Sequence, residues 1–80
     1  MKIVIIKWVD SVGDIDGWIL KKDILPQLPL HCTTVGFLFE QTLTYKTVIQ
    51  TDSEDQILNR ITIPCCAIQS MKYLKEEINE

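Results

Sequence analysis

Cysteine and histidine are scarce in this chain of 80 residues, and the few present do not form a recognisable site. The three cysteines are odd in number and two of them, Cys65 and Cys66, are adjacent, which suits neither a disulfide framework nor a zinc site. The one histidine, His31, has only Cys32 beside it as a second ligand type. We therefore predict buried, reduced thiols, no metal and no cofactor.

Long apolar runs are also missing. The run from residue 3 to residue 6 ends at Lys7, which makes it too short for the core of a signal peptide. No stretch approaches the roughly 18 apolar residues of a membrane-spanning helix. We therefore expect a cytoplasmic protein.

Positive charge is limited and scattered. Eight Lys and Arg residues stand against eleven Asp and Glu, for a net charge of −3, and Arg60 is the only arginine. A sequence-independent nucleic-acid binder draws most of its affinity from a dense basic patch, so this balance makes nucleic acid an unlikely class of partner. It is compatible with one small anion held by a few cations.

Catalytic motifs are absent from the pattern. The segment 14–17, Asp-Ile-Asp-Gly, resembles part of a calcium loop, but that alignment places Val12 at the first ligand position, where a valine cannot coordinate. The segment therefore reads as an Asp/Gly-rich turn. His31 has no evident acid partner, and no nucleophile elbow or glycine-rich phosphate loop is present. We predict that the protein is not an enzyme.

Five short stretches rich in β-branched and aromatic residues predict strands, at residues 2–9, 33–40, 43–51, 57–63 and 66–74. The second and third should pair as a hairpin, with Gly36 marking a bulge or a close backbone approach. One helical turn is expected over residues 21–25, before Pro26, and residues 26–30 are read as a connector.

A chain of this length supports one hydrophobic core, so residues 1–75 form a single domain and residues 76–80 a polar tail. We predict a mostly β fold, a small five-stranded SH3-like or Sm-like barrel with a short helical turn. An OB-like barrel and an α+β sheet are the alternatives.

Two tryptophans and the single arginine are the candidates for binding. Trp8 ends the first strand and Trp18 follows the Asp/Gly turn, so the two indoles are placed to meet across that loop as core or as a stacking wall. Arg60 offers a fork that fits a phosphate. The ligand-binding set comprises Trp8, Asp10, Trp18, Thr33, Thr34 and Arg60.

The order of several short motifs resembles a family of small phage-encoded proteins. The matching motifs are Trp8-x-Asp10, Gly17-Trp18, Thr34-Val35-Gly36 and Ile63-Pro64. The last segment is also similar to the closing strands of Sm-like barrels, which assemble into rings. The resemblance implies a phage protein working in the host cytoplasm.

Small phage proteins of this size include oligomeric sponges that sequester nucleotide signals of bacterial immunity, and the likeness to that class implies a similar anti-defence role here. We therefore expect a homo-oligomer that binds a small nucleotide-like ligand. Its short chain and lack of disulfide or metal staples also favour self-association. A protein-interaction module and an Sm-like RNA binder are the alternatives.

Overall fold

A computed structural model describes residues 1–15 and 17–77. Its five strands are β1 (Ile3–Asp10), β2 (Leu30–Gln41), β3 (Tyr45–Asp52), β4 (Ile57–Pro64) and β5 (Ile68–Leu74). Two 3-10 turns accompany them, Lys21–Asp23 and Cys65–Ala67. The prediction of a mostly β chain with five strands and a short helical turn is confirmed. No helix in the described part is long and apolar enough to cross a membrane.

The strands form one antiparallel sheet in the order β4-β3-β2-β1-β5. The predicted hairpin is present, because β2 pairs with β3. β1 lies between β2 and β5, which explains why its apolar residues are continuous and not alternating. Among the described residues, the edge strands β4 and β5 do not pair with each other, so the sheet is open and closure into a barrel stays a prediction.

The core lies on the inner face of this curved sheet. The fully buried side chains of the core cluster are Val4, Ile6, Val48 and Ile63, and burying each contributes roughly 1.5–3 kcal/mol. Ile49 is also fully buried, outside this cluster. The β5 residue Ile68 packs against the same cluster. The edge strands therefore curl toward each other without pairing.

Gly36 is required for the close contact between β2 and β3. A Cβ atom placed on it would lie 2.5 Å from the carbonyl oxygen of Ile49 and 2.7 Å from Cγ1 of Val48. The close approach predicted at this glycine is confirmed, whereas the register shift of the β2–β3 pair lies between Leu38 and Glu40.

Residues 11–29 form a long excursion between β1 and β2, which we call the arm. It leaves the sheet after Asp10 and returns at Leu30, and these two residues pair with each other. All of its described residues are exposed. The chain measures 60 × 30 × 25 Å along its principal axes. An arm of 19 residues that doubles back reaches at most about 30 Å, enough to explain the long axis.

Three details of the prediction need correction or fall outside the structure. Leu30, read as part of a connector, begins β2 because it pairs with Asp10. The thiols are not buried as expected, since Cys66 is exposed and Cys32 and Cys65 are half-buried. Of the predicted polar tail, residues 78–80 lie outside the described residues, as does Asp16 in the Asp/Gly turn.

Candidate functional site

The sheet splits where the pairing of β2 with β3 ends. The last paired residues at that end are Phe37 and Ile49, and residues 30–36 of β2 pair with β1 alone. Beyond Ile49, β3 continues with β4 only. The two halves of the sheet therefore diverge and leave a cleft of about 150 Å³. Its lining includes Thr34, Val35, Ile49, Gln50, Asn59 and Arg60, and we call it the Arg60 cleft.

Arg60 lies on β4 directly opposite Ile49 of β3. Arg60 is exposed, while Ile49 is fully buried, so the guanidinium stands beside an apolar wall to which Val35 also contributes. A charged group next to apolar surface is screened less than one surrounded by water, which strengthens its attraction for an anion. The position suits a phosphate or carboxylate bound in fork geometry.

Thr34 connects the cleft to the core through Trp8. The indole Nε1–H of Trp8 donates a hydrogen bond of 2.9 Å to the Thr34 hydroxyl oxygen. Trp8 is half-buried and packs against the core cluster. Because a hydroxyl has one hydrogen to donate as well as two lone pairs, Thr34 retains a donor for a ligand while it accepts from Trp8.

Gln50 and Asn59 complete the polar side of the cleft, and the sequence analysis did not select them. The Asn59 amide donates to the Gln50 side-chain oxygen. Asn59 has a φ of 57°, the left-handed region, in the middle of β4. Asparagine is one of the few residues enriched there, and strained backbone positions cluster at functional sites. Its place in the sequence next to Arg60, the one arginine, is the signal that could have indicated this residue.

Two other predicted residues lie away from the cleft. Thr33 pairs with Lys7 and is exposed, and because successive strand residues point to opposite faces, its side chain projects away from that of Thr34. The Asp10 carboxylate accepts the backbone N–H of Ser11 at 2.8 Å, which fits a residue that ends β1 and starts the arm.

Trp18 is on the arm and is separated from Arg60. Its side chain is 104% exposed, so it is not in contact with Trp8, and the expected meeting of the two indoles is not observed. It lines a shallow pocket of about 380 Å³ together with Asp14, Gly17 and Ile24. Thr34 and Arg60 therefore line one cleft and Thr34 is hydrogen-bonded to Trp8, whereas Trp18, Thr33 and Asp10 do not line that cleft.

A second polar contact lies on the β2–β3 hairpin. The Tyr45 hydroxyl donates a hydrogen bond to the Glu40 carboxylate, and this bond, with the negative charge of Glu40, raises the pKa of Tyr45 above 10.0. Neither residue lines the Arg60 cleft. Within residues 1–15 and 17–77, no three His, Cys, Asp or Glu side chains are grouped so as to hold a metal ion.

The Arg60 cleft supplies hydrogen-bond donors and one positive charge. Its described lining contains no His, Cys, Asp or Glu, the residues that most often act as bases or nucleophiles. This arrangement can hold an anion and orient it. Comparison with protein-family models, with curated proteins and with solved structures finds no match to this chain.

Proposed function

We propose that this chain is a phage-encoded, non-enzymatic binding protein that sequesters a nucleotide-type signal of host antiviral immunity in the cytoplasm of the infected cell. The observation that carries the proposal is that Arg60 and Thr34 both line one cleft, together with Gln50 and Asn59. In this proposal the Arg60 guanidinium binds a phosphate and the Thr34 hydroxyl donates to a phosphate or ribose oxygen.

The size of the cleft limits how a ligand is held. At about 150 Å³ it is smaller than the roughly 300–1,000 Å³ of pockets that enclose drug-sized ligands. We therefore propose that it takes a phosphate and part of the sugar, and that the rest of the nucleotide lies on the surface. Trp18 does not line this cleft in its own chain. It reaches the ligand only if a second copy presents it.

Calorimetric titration tests the proposal. The full chain is titrated with cyclic mononucleotides, cyclic dinucleotides and cyclic ADP-ribose isomers, and chromatography checks that the bound nucleotide is recovered intact. We expect saturable binding to at least one of them, with no turnover. Arg60→Gln should weaken that binding by about 10-fold or more, because it removes a charge-assisted hydrogen bond.

Lys75→Gln is the matched control, since it removes one exposed positive charge outside the cleft. It should leave the affinity within about two-fold, because exposed charges are largely screened. Equal losses of nucleotide affinity in Arg60→Gln and Lys75→Gln would indicate non-specific charge attraction and not binding in the Arg60 cleft. Binding to none of the nucleotides, or conversion of one of them, would contradict the proposal.

A second candidate function is a protein-interaction module, and the arm favours it. Trp18, Leu25 and Leu28 are at least 79% exposed, and large exposed apolar patches mark interaction sites. Capture of a host or phage protein that is lost in Trp18→Ser but kept in Arg60→Gln would support this candidate. Binding to a single-stranded RNA with a steep salt dependence would instead support the Sm-like RNA binder.

We also propose that the sheet belongs to the SH3-like or Sm-like barrels. The support is that Ile63 of β4 and Ile68 of β5 pack on one core cluster from the two edges of the sheet. The backbone N–H of Cys65 donates to the Thr44 carbonyl at 2.8 Å and fixes the corner between these strands. Nuclear Overhauser contacts between β4 and β5 backbones would support closure, and their absence would contradict it.

A further inference from the structure

The described residues of the arm, 11–15 and 17–29, make hydrogen bonds within the arm and, through Ser11, to Asp10 at its base. The Asp23 backbone N–H donates to the Leu20 carbonyl at 2.9 Å, and the Gln27 amide donates to the Asp14 carboxylate at 3.3 Å. These bonds shape the two legs of the arm without fixing either leg to the sheet. A segment held this weakly normally has a polar composition, because water is its only neighbour.

The arm instead has eight large apolar residues among its 19. Its large, highly exposed side chains and their exposed fractions are Ile15 95%, Trp18 104%, Leu20 65%, Ile24 61%, Leu25 80% and Leu28 79%. Soluble monomers rarely concentrate so many large, exposed apolar side chains in one segment. The exposed apolar side chains of the arm therefore form a surface better suited to contact with a protein partner than to contact with water.

The total accessible surface of the chain also supports contact with a partner. Its accessible surface is 7096 Å², whereas a folded monomer of 9.2 kDa exposes about 4,900 Å², an excess of about 2,200 Å². Its radius of gyration is 17.0 Å, against about 12 Å for a compact domain of this length. A stable interface needs about 800 Å² from each partner, so the excess is more than sufficient.

The same chain carries a second uncovered apolar surface. On the outer face of the sheet, opposite Val4 and Ile6, the neighbouring pairs Ile3–Phe37 and Ile5–Val35 lie side by side. We call these four residues the outer patch. Val35 is 55% exposed and the other three are half-buried. An antiparallel sheet whose outer face meets water is normally polar on that face.

Charge also fits the arm to the outer patch. Lys7 and Lys72 flank the patch on the same face, because Lys7 alternates with Ile5 on β1 and Lys72 pairs with Ile5 from β5. The arm has three Asp and two Lys, a net charge of −1. Opposite signs across two surfaces favour their encounter and fix their orientation.

We propose that the arm of one copy lies across the outer patch of a second copy, and that the arm of the second copy lies across the outer patch of the first. Both surfaces belong to one chain, so a two-fold pair buries two arms and two patches with no other partner. The arm cannot be serving its own patch in this way, because Val35 stays 55% exposed beside it. The outer patch shares Val35 with the lining of the Arg60 cleft, but the self-association requires no ligand.

Sedimentation equilibrium of the full chain, in reducing buffer so that exposed Cys66 forms no disulfide, tests the proposal. We expect the mass of two or more chains at micromolar concentration. The arm variant, Trp18→Ser with Leu25→Ser and Leu28→Ser, should sediment as one chain, with a dissociation constant raised by about 100-fold or more. It should keep its β circular dichroism, because these side chains contact little in their own chain.

A control and a complementation experiment separate this contact from others. Leu43→Ser removes a residue that is 99% exposed at the β2–β3 turn, outside both surfaces, and should leave the mass unchanged. Val35→Glu in the outer patch should also sediment as one chain. Mixing it with the arm variant should restore a two-chain species of intermediate affinity, since one arm and one patch remain intact.

Three results would overturn the proposal. A wild-type chain that stays monomeric at 100 µM, about the top of the range where such an interface saturates, would show that another partner covers the arm. An arm variant that keeps the wild-type mass would show that the copies meet elsewhere. A mixture of the two variants that does not associate would show that arms pack on arms and not on patches.

Discussion

Trp8 donates its indole N–H to the hydroxyl of Thr34 over 2.9 Å, and this bond links the core to the candidate site. Trp8 packs against the buried cluster, whereas Thr34 lines the Arg60 cleft from the neighbouring strand. A change at Thr34 is therefore expected to affect both stability and ligand affinity, which distinguishes it from Thr33, the other threonine of β2.

Thr34→Val should destabilise the fold by about 1 kcal/mol, because it leaves the half-buried indole N–H of Trp8 without its acceptor. Denaturant unfolding, followed by Trp fluorescence, measures this loss. Thr33→Val is the control, since Thr33 is exposed and opposite Lys7. That change should stay within about 0.5 kcal/mol of wild type, because it touches no buried bond. Equal effects of the two substitutions would mean that the Trp8–Thr34 bond does not contribute.

Gly36→Ala should destabilise the protein by about 1–3 kcal/mol, because the new methyl group overlaps the Ile49 carbonyl and a Val48 methyl. The melting temperature reports this change. Gly13→Ala on the arm is the control, since no atom lies within 4 Å of its added Cβ. It should leave the melting temperature close to that of wild type. A Gly36→Ala protein as stable as wild type would show that β2 and β3 are not so close.

Position 59 should tolerate substitution by glycine but not by a β-branched residue. Asn59→Gly keeps access to a φ of 57° and is expected to leave stability within about 0.5 kcal/mol. Asn59→Val should cost about 1–2 kcal/mol, because valine is strained in the left-handed region. Chemical denaturation compares the two. If valine is as stable as glycine at this position, the backbone of β4 does not adopt the left-handed conformation beside Arg60.

Tyr45 should ionise at higher pH than an ordinary tyrosine. Its hydrogen bond to Glu40, with the carboxylate charge, raises its pKa above 10.0. The contribution of this hydrogen bond to folding stability is present below about pH 10, the pKa of tyrosine in the unfolded chain. It is lost as the pH rises through the raised pKa of Tyr45 in the folded protein. Ultraviolet titration of a Tyr73→Phe background isolates Tyr45. In that background Glu40→Gln should lower the Tyr45 pKa toward 10, and an unchanged value would exclude Glu40 as the cause.

Much of the fold follows from the sequence because strands are set by short-range patterns. The run that starts at Ile3 and the stretches after Tyr45, Ile57 and Ile68 combine β-branched residues with turn residues between them, and their bounds are predicted within about three residues. The start of β2 at Leu30 was not predicted, because the preceding Pro29 indicates a connector and not a strand. The strand begins there through pairing with Asp10, a contact between residues 20 positions apart.

The candidate site was predictable only in part. Arg60 and Thr34 were selected for their chemistry, and they line one cleft. Gln50 and Asn59 were missed because their role depends on where β2 and β3 separate, which no local pattern specifies. Trp18 was expected to meet Trp8 across the loop between them, because the two flank that loop in the sequence. Instead, all described residues of the arm are exposed, Trp18 among them.

Side-chain nuclear magnetic resonance tests the central proposal, nucleotide binding at the Arg60 cleft, most directly. The chain has one arginine and two tryptophans, so the Arg60 Nε–H and the two indole N–H signals are separately resolved probes. Titration with the nucleotide that binds in calorimetry should shift the Arg60 signal and, through Thr34, the Trp8 indole signal at matching ligand concentrations. A titration that saturates while the Arg60 and Trp8 signals stay unmoved would contradict the proposal.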